Sequence, residues 1–380
     1  MKLSFWLGII GLILFEAANV YFIMPMPGSQ EINSIELAYF LYSWRWWWRA
    51  LFVILILLGL IFGKWKKRKY LLLVPAVVAG VIIYMTNFVM AADHMFYQPS
   101  SLRMVKRDQN KVDSNRLVIG INYNDEARAY PIQFIGYHHQ VVDTIAGKPI
   151  IVTYCTVCRT GRVFEPLVNG KPERFRLVGM DHFNAMFEDE STKSWWRQVS
   201  GEAIAGKLKG RQLPELLSRQ TSLAEWLRMN PHSLIMQGDP AYTNKYDSSF
   251  DYESGKSKKA LTGTDSSSWN QKSWVIGIKA GDQRRAYDWN KLVKERMIQD
   301  MAGTTPVLLV ISSDNKSFFA FERPGNNTFF EFRNDSLYLD GKRFRIDGRG
   351  IDTSFSLKPL PAYQEFWHSW NQFNPNTTRN

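Results

Sequence analysis

The sequence predicts an α+β protein: three N-terminal transmembrane helices followed by an internally duplicated, β-rich α+β domain outside the cytoplasm. Three observations predict it. Residues 1–91 contain three apolar stretches, at about 5–24, 46–63 and 70–91. A basic run, KWKKRK, separates the second from the third. And the remaining chain aligns with itself, without a gap, at an offset of 157 residues, from 117 to 274. The organisation read from this is a transmembrane region at 1–91, a linker at 92–115, a first repeat at 116–265 and a second at 266–380.

A bilayer-spanning helix needs about 20 mostly apolar residues. The third stretch, YLLLVPAVVAGVIIYMTNFVMA, carries no charge. The second follows Trp46, Trp47, Trp48 and Arg49, a run suited to an interfacial anchor. The first carries Glu16 in its middle with no obvious cationic partner; it reads as a third helix rather than a signal peptide, because no clean small-x-small site follows its apolar core. Lys64, Lys66, Lys67, Arg68 and Lys69 form a short basic loop of the kind retained in the cytoplasm. The third helix then exits, and everything beyond about residue 92 is expected outside the cytoplasm of a bacterial inner membrane. The net charge of +12 partly reflects this loop, so it is read as membrane topology and not as nucleic-acid binding. The lipid bilayer is the one expected partner; a protein or small-molecule partner stays unidentified.

The internal match is specific. Val118, Ile119, Gly120 and Ile121 fall on Val275, Ile276, Gly277 and Ile278; Asp125, Arg128, Ala129 and Tyr130 fall on Asp282, Arg285, Ala286 and Tyr287; Asp143 falls on Asp300. NYND and KAGD are good turn sequences, so each half opens with a hairpin. A later echo pairs Trp226, Asn230 and Pro231 with Trp370, Asn374 and Pro375, each a short amphipathic helix stopped at Asn-Pro. Each half is therefore expected to run strand, strand, helix, strand, hairpin strands, closing helix.

The only two cysteines, Cys155 and Cys158, lie in PIIVTYCTVCRTGRVF at the end of an apolar strand. The second half has Ser312 and Asn315 in their places and Arg296 opposite His139. A hairpin knuckle is expected here, since Gly161 and Phe164 read as turn and strand. Three chemistries stay open. Thiol–disulfide exchange needs a thiolate, which Arg159 and Arg162 would favour. Soft-metal binding would use Cys155, Cys158 and His139, with copper or zinc as the suited ions and Asp143 orienting the imidazole. His138, His182 and Met186 are weaker ligand candidates. The third is a structural disulfide in an oxidising compartment. Farther on, EDESTKSWWRQ brings a carboxylate, hydroxyls and an amide close together, making Asp189, Thr192, Trp196 and Gln198 candidates for a binding cleft. No nucleotide-binding glycine loop, nucleophile elbow or helical His-Glu-x-x-His is present. The sequence leaves open whether the protein is an enzyme. The competing class is a non-enzymatic binding or scaffold module.

His139, Asp143, Tyr154, Cys155 and Cys158, followed by Asp189, Thr192, Ser194, Trp196, Gln198, Gly201 and Gly206, resemble the motif series of a bacterial family catalogued as domain of unknown function 3179. The resemblance covers about 92–380 and implies no activity.

Overall fold

The computed structural model describes residues 2–65, 69–246 and 249–380. Lys66, Lys67 and Arg68 of the basic loop lie outside the described residues. The chain forms two compact units. The first comprises the residues up to 97 together with 173–197 and 202–212; the second comprises 98–172, 198–201 and 213–380.

Among the described residues three helices are long and apolar enough to cross a membrane: α1 (Lys2–Tyr21), α3 (Arg45–Phe62) and α4 (Tyr70–Val89), with a short α2 (Ile35–Ser43) between the first two. Trp46 and Trp47 are 68% and 72% exposed, as side chains reaching an interface should be. The structure corrects one sequence expectation. Glu16 has a cationic partner: Arg49 Nε donates to its Oε1 at 2.6 Å and Nη2 to its Oε2 at 3.0 Å, while Asn87 Nδ2 donates at 2.9 Å. A carboxylate on an apolar helix is tolerable when neutralised and hydrogen-bonded in this way. Arg49 and Asn87 sit near the ends of α3 and α4 farthest along the chain from the basic loop, and Glu16 sits in the C-terminal half of α1.

The second unit carries two series of elements with nearly identical spacing. The first is β1 (Leu117–Tyr123), β2 (Glu126–Pro131), α5 (Ile132–His138), β3 (Gln140–Ile145), β4 (Lys148–Cys155) and β5 (Thr160–Phe164). Segment 173–212 contributes β6 (Phe175–Asp181), β7 (Asn184–Asp189), β8 (Trp195–Arg197) and β9 (Ala203–Ala205), an antiparallel sheet of the first unit in the order β9-β8-β7-β6. The first series then closes with β10 (Arg219–Ser222), α6 (Leu223–Met229) and β11 (Leu234–Met236). The second series is β12 (Trp274–Ala280), β13 (Gln283–Asp288), α7 (Trp289–Glu295), β14 (Met297–Ala302), β15 (Thr305–Ile311), β16 (Phe318–Glu322), β17 (Ala362–Phe366) and α8 (Trp367–Phe373).

The pairing follows the same plan twice. β10-β1-β2 are antiparallel neighbours and β11 adds in parallel to β2; β17-β12-β13 do likewise, with Thr378–Arg379 parallel to β13. β3-β4-β5 and β14-β15-β16 are the two matching meanders. Asn124 and Asp125 take φ of 46° and 65°, the two positive values a two-residue type I′ hairpin demands. Gly120 and Gly277 are forced by packing. A Cβ on either would stand 2.3 Å and 2.0 Å from the indole of Trp226 and Trp370 respectively. Ser222 caps α6 by accepting from Glu225 N at 3.1 Å, as a Ser-x-x-Glu start predicts. A single apolar cluster draws Ile119, Tyr154 and Val163 from the first series together with Leu308, Val310 and Phe321 from the second.

Candidate functional site

β4 runs through six buried residues, Ile150 to Cys155, before turning at 156–159; Arg159 takes φ of 58° and β5 begins opposite, with Cys155 in register with Thr160. The turn is the expected knuckle. No helix begins there, so no helix dipole is available to stabilise a thiolate. Cys155 and Cys158 are both 0% exposed and lie 4.2 Å apart, not joined by a disulfide. The structural disulfide expected under the competing reading is therefore not formed. Burial above all holds Cys158 well above the ordinary thiol range; Cys155 pushes the same way, and a hydrogen bond with Ser369 opposes.

What surrounds the knuckle comes mostly from the second series. Ser369 Oγ donates to Glu365 Oε2 at 2.9 Å, and Glu365 pairs with Arg162; the two charged side chains are 0% and 1% exposed. Arg162 also lies 3.6 Å from the Tyr363 ring centroid and donates to Val199 O at 3.2 Å. Arg159 donates to Gln364 Oε1 at 2.9 Å and to the carbonyls of Tyr252 and Glu253 at 3.1 Å, and stacks 3.8 Å from Trp274. Contrary to the sequence expectation, the two arginines fasten the knuckle to distant chain instead of activating its sulfurs. Phe366 N donates to Cys158 O at 3.0 Å. Lys272 Nζ donates to Val157 O at 2.9 Å, and His368 Nε2 lies 3.2 Å from the same oxygen. Burial lowers the pKa of Lys272, against the pull of the cysteines, and brings His368 to about 4. Sequence reasoning missed Lys272, Glu365, His368 and Ser369. The only signals were the closing-helix echo, which contains Glu365, His368 and Ser369, and the start of the second repeat at Trp274, two residues after Lys272.

His139 is not on α5 but just past its end, in left-handed conformation with φ of 60°. Its Nδ1–H donates to Tyr154 O at 2.8 Å, and its own carbonyl accepts from Tyr154 N at 2.9 Å. Arg296, with φ of 70°, repeats both contacts in the second series: its Nη2 donates to Ile311 O at 3.0 Å, and its carbonyl accepts from Ile311 N at 3.0 Å. His139 is thus a latch that binds a helix end to the central strand. Burial, foremost, brings its pKa down to about 4. Asp143 lies on β3, not one helical turn beyond His139, and accepts from Tyr130 OH at 2.7 Å and Arg128 Nη1 at 3.3 Å. Asp300 accepts from Arg285 Nε at 2.7 Å in the matching place. Among the described residues no three His, Cys, Asp or Glu side chains are grouped to hold a metal. The expected set of Cys155, Cys158 and His139 for copper or zinc does not assemble. Of the weaker candidates, His138 contacts Tyr246 OH at 2.8 Å, His182 pairs with Asp181 at 2.7 Å, and Met186 is buried in an apolar cluster of the first unit.

Asp189, Thr192 and Trp196 do come together, in the first unit. Asp189 is fully buried and accepts from Thr192 N at 2.5 Å, Thr192 Oγ1 at 2.8 Å, Ser194 N at 3.1 Å and Trp196 Nε1 at 2.8 Å. Its acceptors are taken up by the β7–β8 turn. Gln198 belongs to the second unit, where its Nε2 donates to Thr153 Oγ1 and Thr160 O, each at 3.0 Å, bracing the cysteine hairpin.

A family model described as "Protein of unknown function (DUF3179)" matches residues 98–377. The chain belongs to the DUF3179 family. No curated protein and no solved structure matches it. The match to DUF3179 takes in both series, the knuckle and the Asp189 turn, and starts only after the three apolar helices. Those helices are thus an addition to the family domain.

Proposed function

We propose that this DUF3179 member is a membrane-anchored, non-enzymatic binding module with an internally duplicated core held outside the cytoplasm. Cys155 and Cys158 act in it as buried, reduced thiols that pack the joint between the halves. The observation that carries this reading is the complete burial of both sulfurs beside a raised Cys158 pKa. A thiol reacts, or binds metal, as the thiolate, and a desolvated site disfavours that form. Burial also shields the thiols kinetically from an oxidising compartment. The matched spacing of the two series supports duplication, and the basic loop supports the orientation by the positive-inside tendency. The thiol-redox reading keeps one observation on its side, the 4.2 Å between the cysteines. The test is the metal content and disulfide state of the full-length protein, purified in detergent without reductant. Two reduced cysteines and no stoichiometric copper or zinc are expected. A disulfide or one bound metal per chain would overturn the reading.

A further inference from the structure

A cleft of about 880 Å³ opens on the first series, away from the knuckle. Its floor is the β10-β1-β2 sheet, with Arg219, Asn122 and Arg128; its wall is the end of α6 and the following turn, with Asn230 and His232; Arg349 reaches it from the second half of the chain. Its volume lies within the range of small-molecule sites, about 300–1,000 Å³.

The charge in this cleft is unevenly balanced. Arg128 is neutralised by Glu126 at 3.2 Å and Asp143 at 3.3 Å. At the other end the buried Asp347 has Arg349 Nε at 3.5 Å and Arg345 Nε at 3.9 Å from one oxygen. Arg219 feels the same carboxylate, but among the described residues its guanidinium makes no hydrogen bond and no ion pair. Its guanidinium rests 5.5 Å from the Phe319 ring centroid. Burial lowers its pKa first, Asp347 opposes and Arg349 adds to the lowering. Its register partner on β1 is Gly120, which the Trp226 indole covers and which offers Arg219 no side-chain partner. A partly desolvated guanidinium without a directly paired counter-ion is costly, and its planar fork matches a carboxylate or phosphate. Nor does the repeated plan require it: Tyr363 faces Gly277 as Arg219 faces Gly120. Asp125 and Glu126 stand at the far rim, so the positive end is local to Arg219 and Arg349.

We propose that this cleft binds a small anionic ligand, a molecule bearing a carboxylate or phosphate group that seats on Arg219 with Arg349 as its second contact. The proposal rests on the binding-module reading and gives it a ligand class.

Calorimetric titration of the full-length protein in detergent, at low and constant ionic strength, tests it with inorganic phosphate and with citrate. At least one anion should bind. Arg219→Gln should weaken it about tenfold or more, Arg219→Lys less, and Arg349→Gln by about threefold, as expected for loss of charge-assisted hydrogen bonds. Arg333→Gln, at an exposed arginine elsewhere, should change nothing. Binding of phosphate alone assigns a phosphorylated ligand, and binding of citrate alone a carboxylate. The proposal is overturned if neither anion binds, or if Arg219→Gln binds as tightly as the parent with the same unfolding midpoint. Should Arg219→Gln not fold, Arg219→Lys and Arg349→Gln are read instead, and undiminished affinity in both overturns it equally. Thiol accessibility in the same samples separates the two claims. Masked thiols with no anion bound remove the ligand class alone, whereas exposed thiols remove the module reading.

Discussion

The two series, which open at Leu117 and Trp274 and close with α6–β11 and with α8, place the same kinds of elements in the same order but differ at several chemically active positions. Some of these differences hide a common task. His139 and Arg296 share no chemistry, yet each donates a side-chain N–H to a carbonyl of the central strand from a left-handed helix end. Asp143 and Asp300 are identical, and each holds the arginine of the preceding hairpin. Other differences have no such counterpart. Cys158 faces Ser369 where the second series has Asn315, held by Arg296. Arg219 stands where the second series has Tyr363. A residue unique to one half is therefore a functional candidate only after its contacts have been compared with those of its counterpart.

The comparison can be broken most forcefully at the tryptophans. Trp226→Ala and Trp370→Ala each remove an indole packed on a glycine, and each should cost about 3–5 kcal/mol. The measurement is the unfolding midpoint of the full chain in detergent, and a loss at only one site would mean that the halves are not packed alike. Glu365→Gln should cost up to about 3 kcal/mol by removing the buried counter-ion of Arg162 and leaving only the partly exposed Glu215, 3.6 Å away. It should also quicken thiol alkylation, whereas Glu322→Gln, at a half-exposed position of the second series, should do neither.

Acid offers a third test. His139 and His368 titrate at about 4 in the folded chain against 6.5 for an ordinary histidine. As pH falls below 6.5 the unfolded chain takes up protons that the folded chain refuses. Stability present above pH 6.5 is therefore lost progressively down to about pH 4, by at most about 3 kcal/mol per histidine. His139→Asn keeps a residue tolerant of the left-handed conformation and removes the charge, so its unfolding midpoint should fall less steeply over that window. An unchanged slope would show that His139 is accessible to protons in the folded state. The smallest effect is topological: a phosphatase fused after residue 110 should be active as an exported reporter, with no change in the fold of the helices. Inactivity there, with an active cytoplasmic reporter, would invert the orientation.

Much of the fold was legible because it depends on local pattern. The three apolar stretches, the hairpin at Asn124-Asp125 and the ends of α6 and α8 follow from composition, turn chemistry and capping. The expected run of strand, strand, helix, strand is followed by the elements of 117–145 and of 274–302. The sheet made by 173–212 was not anticipated, since nothing in its alternation separates it from the strands around it. The partner of Glu16 lay in plain view, in the run that opens the second apolar stretch, but only helix packing brings Arg49 to it. At the candidate site the sequence indicated the knuckle and its two thiols. It could not show that Glu365, His368 and Ser369, some 200 residues later, enclose them, because strand pairing across the two series sets that proximity. Histidine near cysteine suggested a ligand set; the backbone made it a latch.

The central claim is that the cysteines are packing groups and not a reactive centre. The most direct test is pulse alkylation with iodoacetamide in intact membranes, with mass spectrometry following Cys155 and Cys158 separately. The account predicts that both stay unmodified in the native protein and that both are labelled once it is unfolded, with native labelling slower by about 100-fold or more, as expected for thiols reached only through opening of the fold. Rapid native labelling of either cysteine would contradict it.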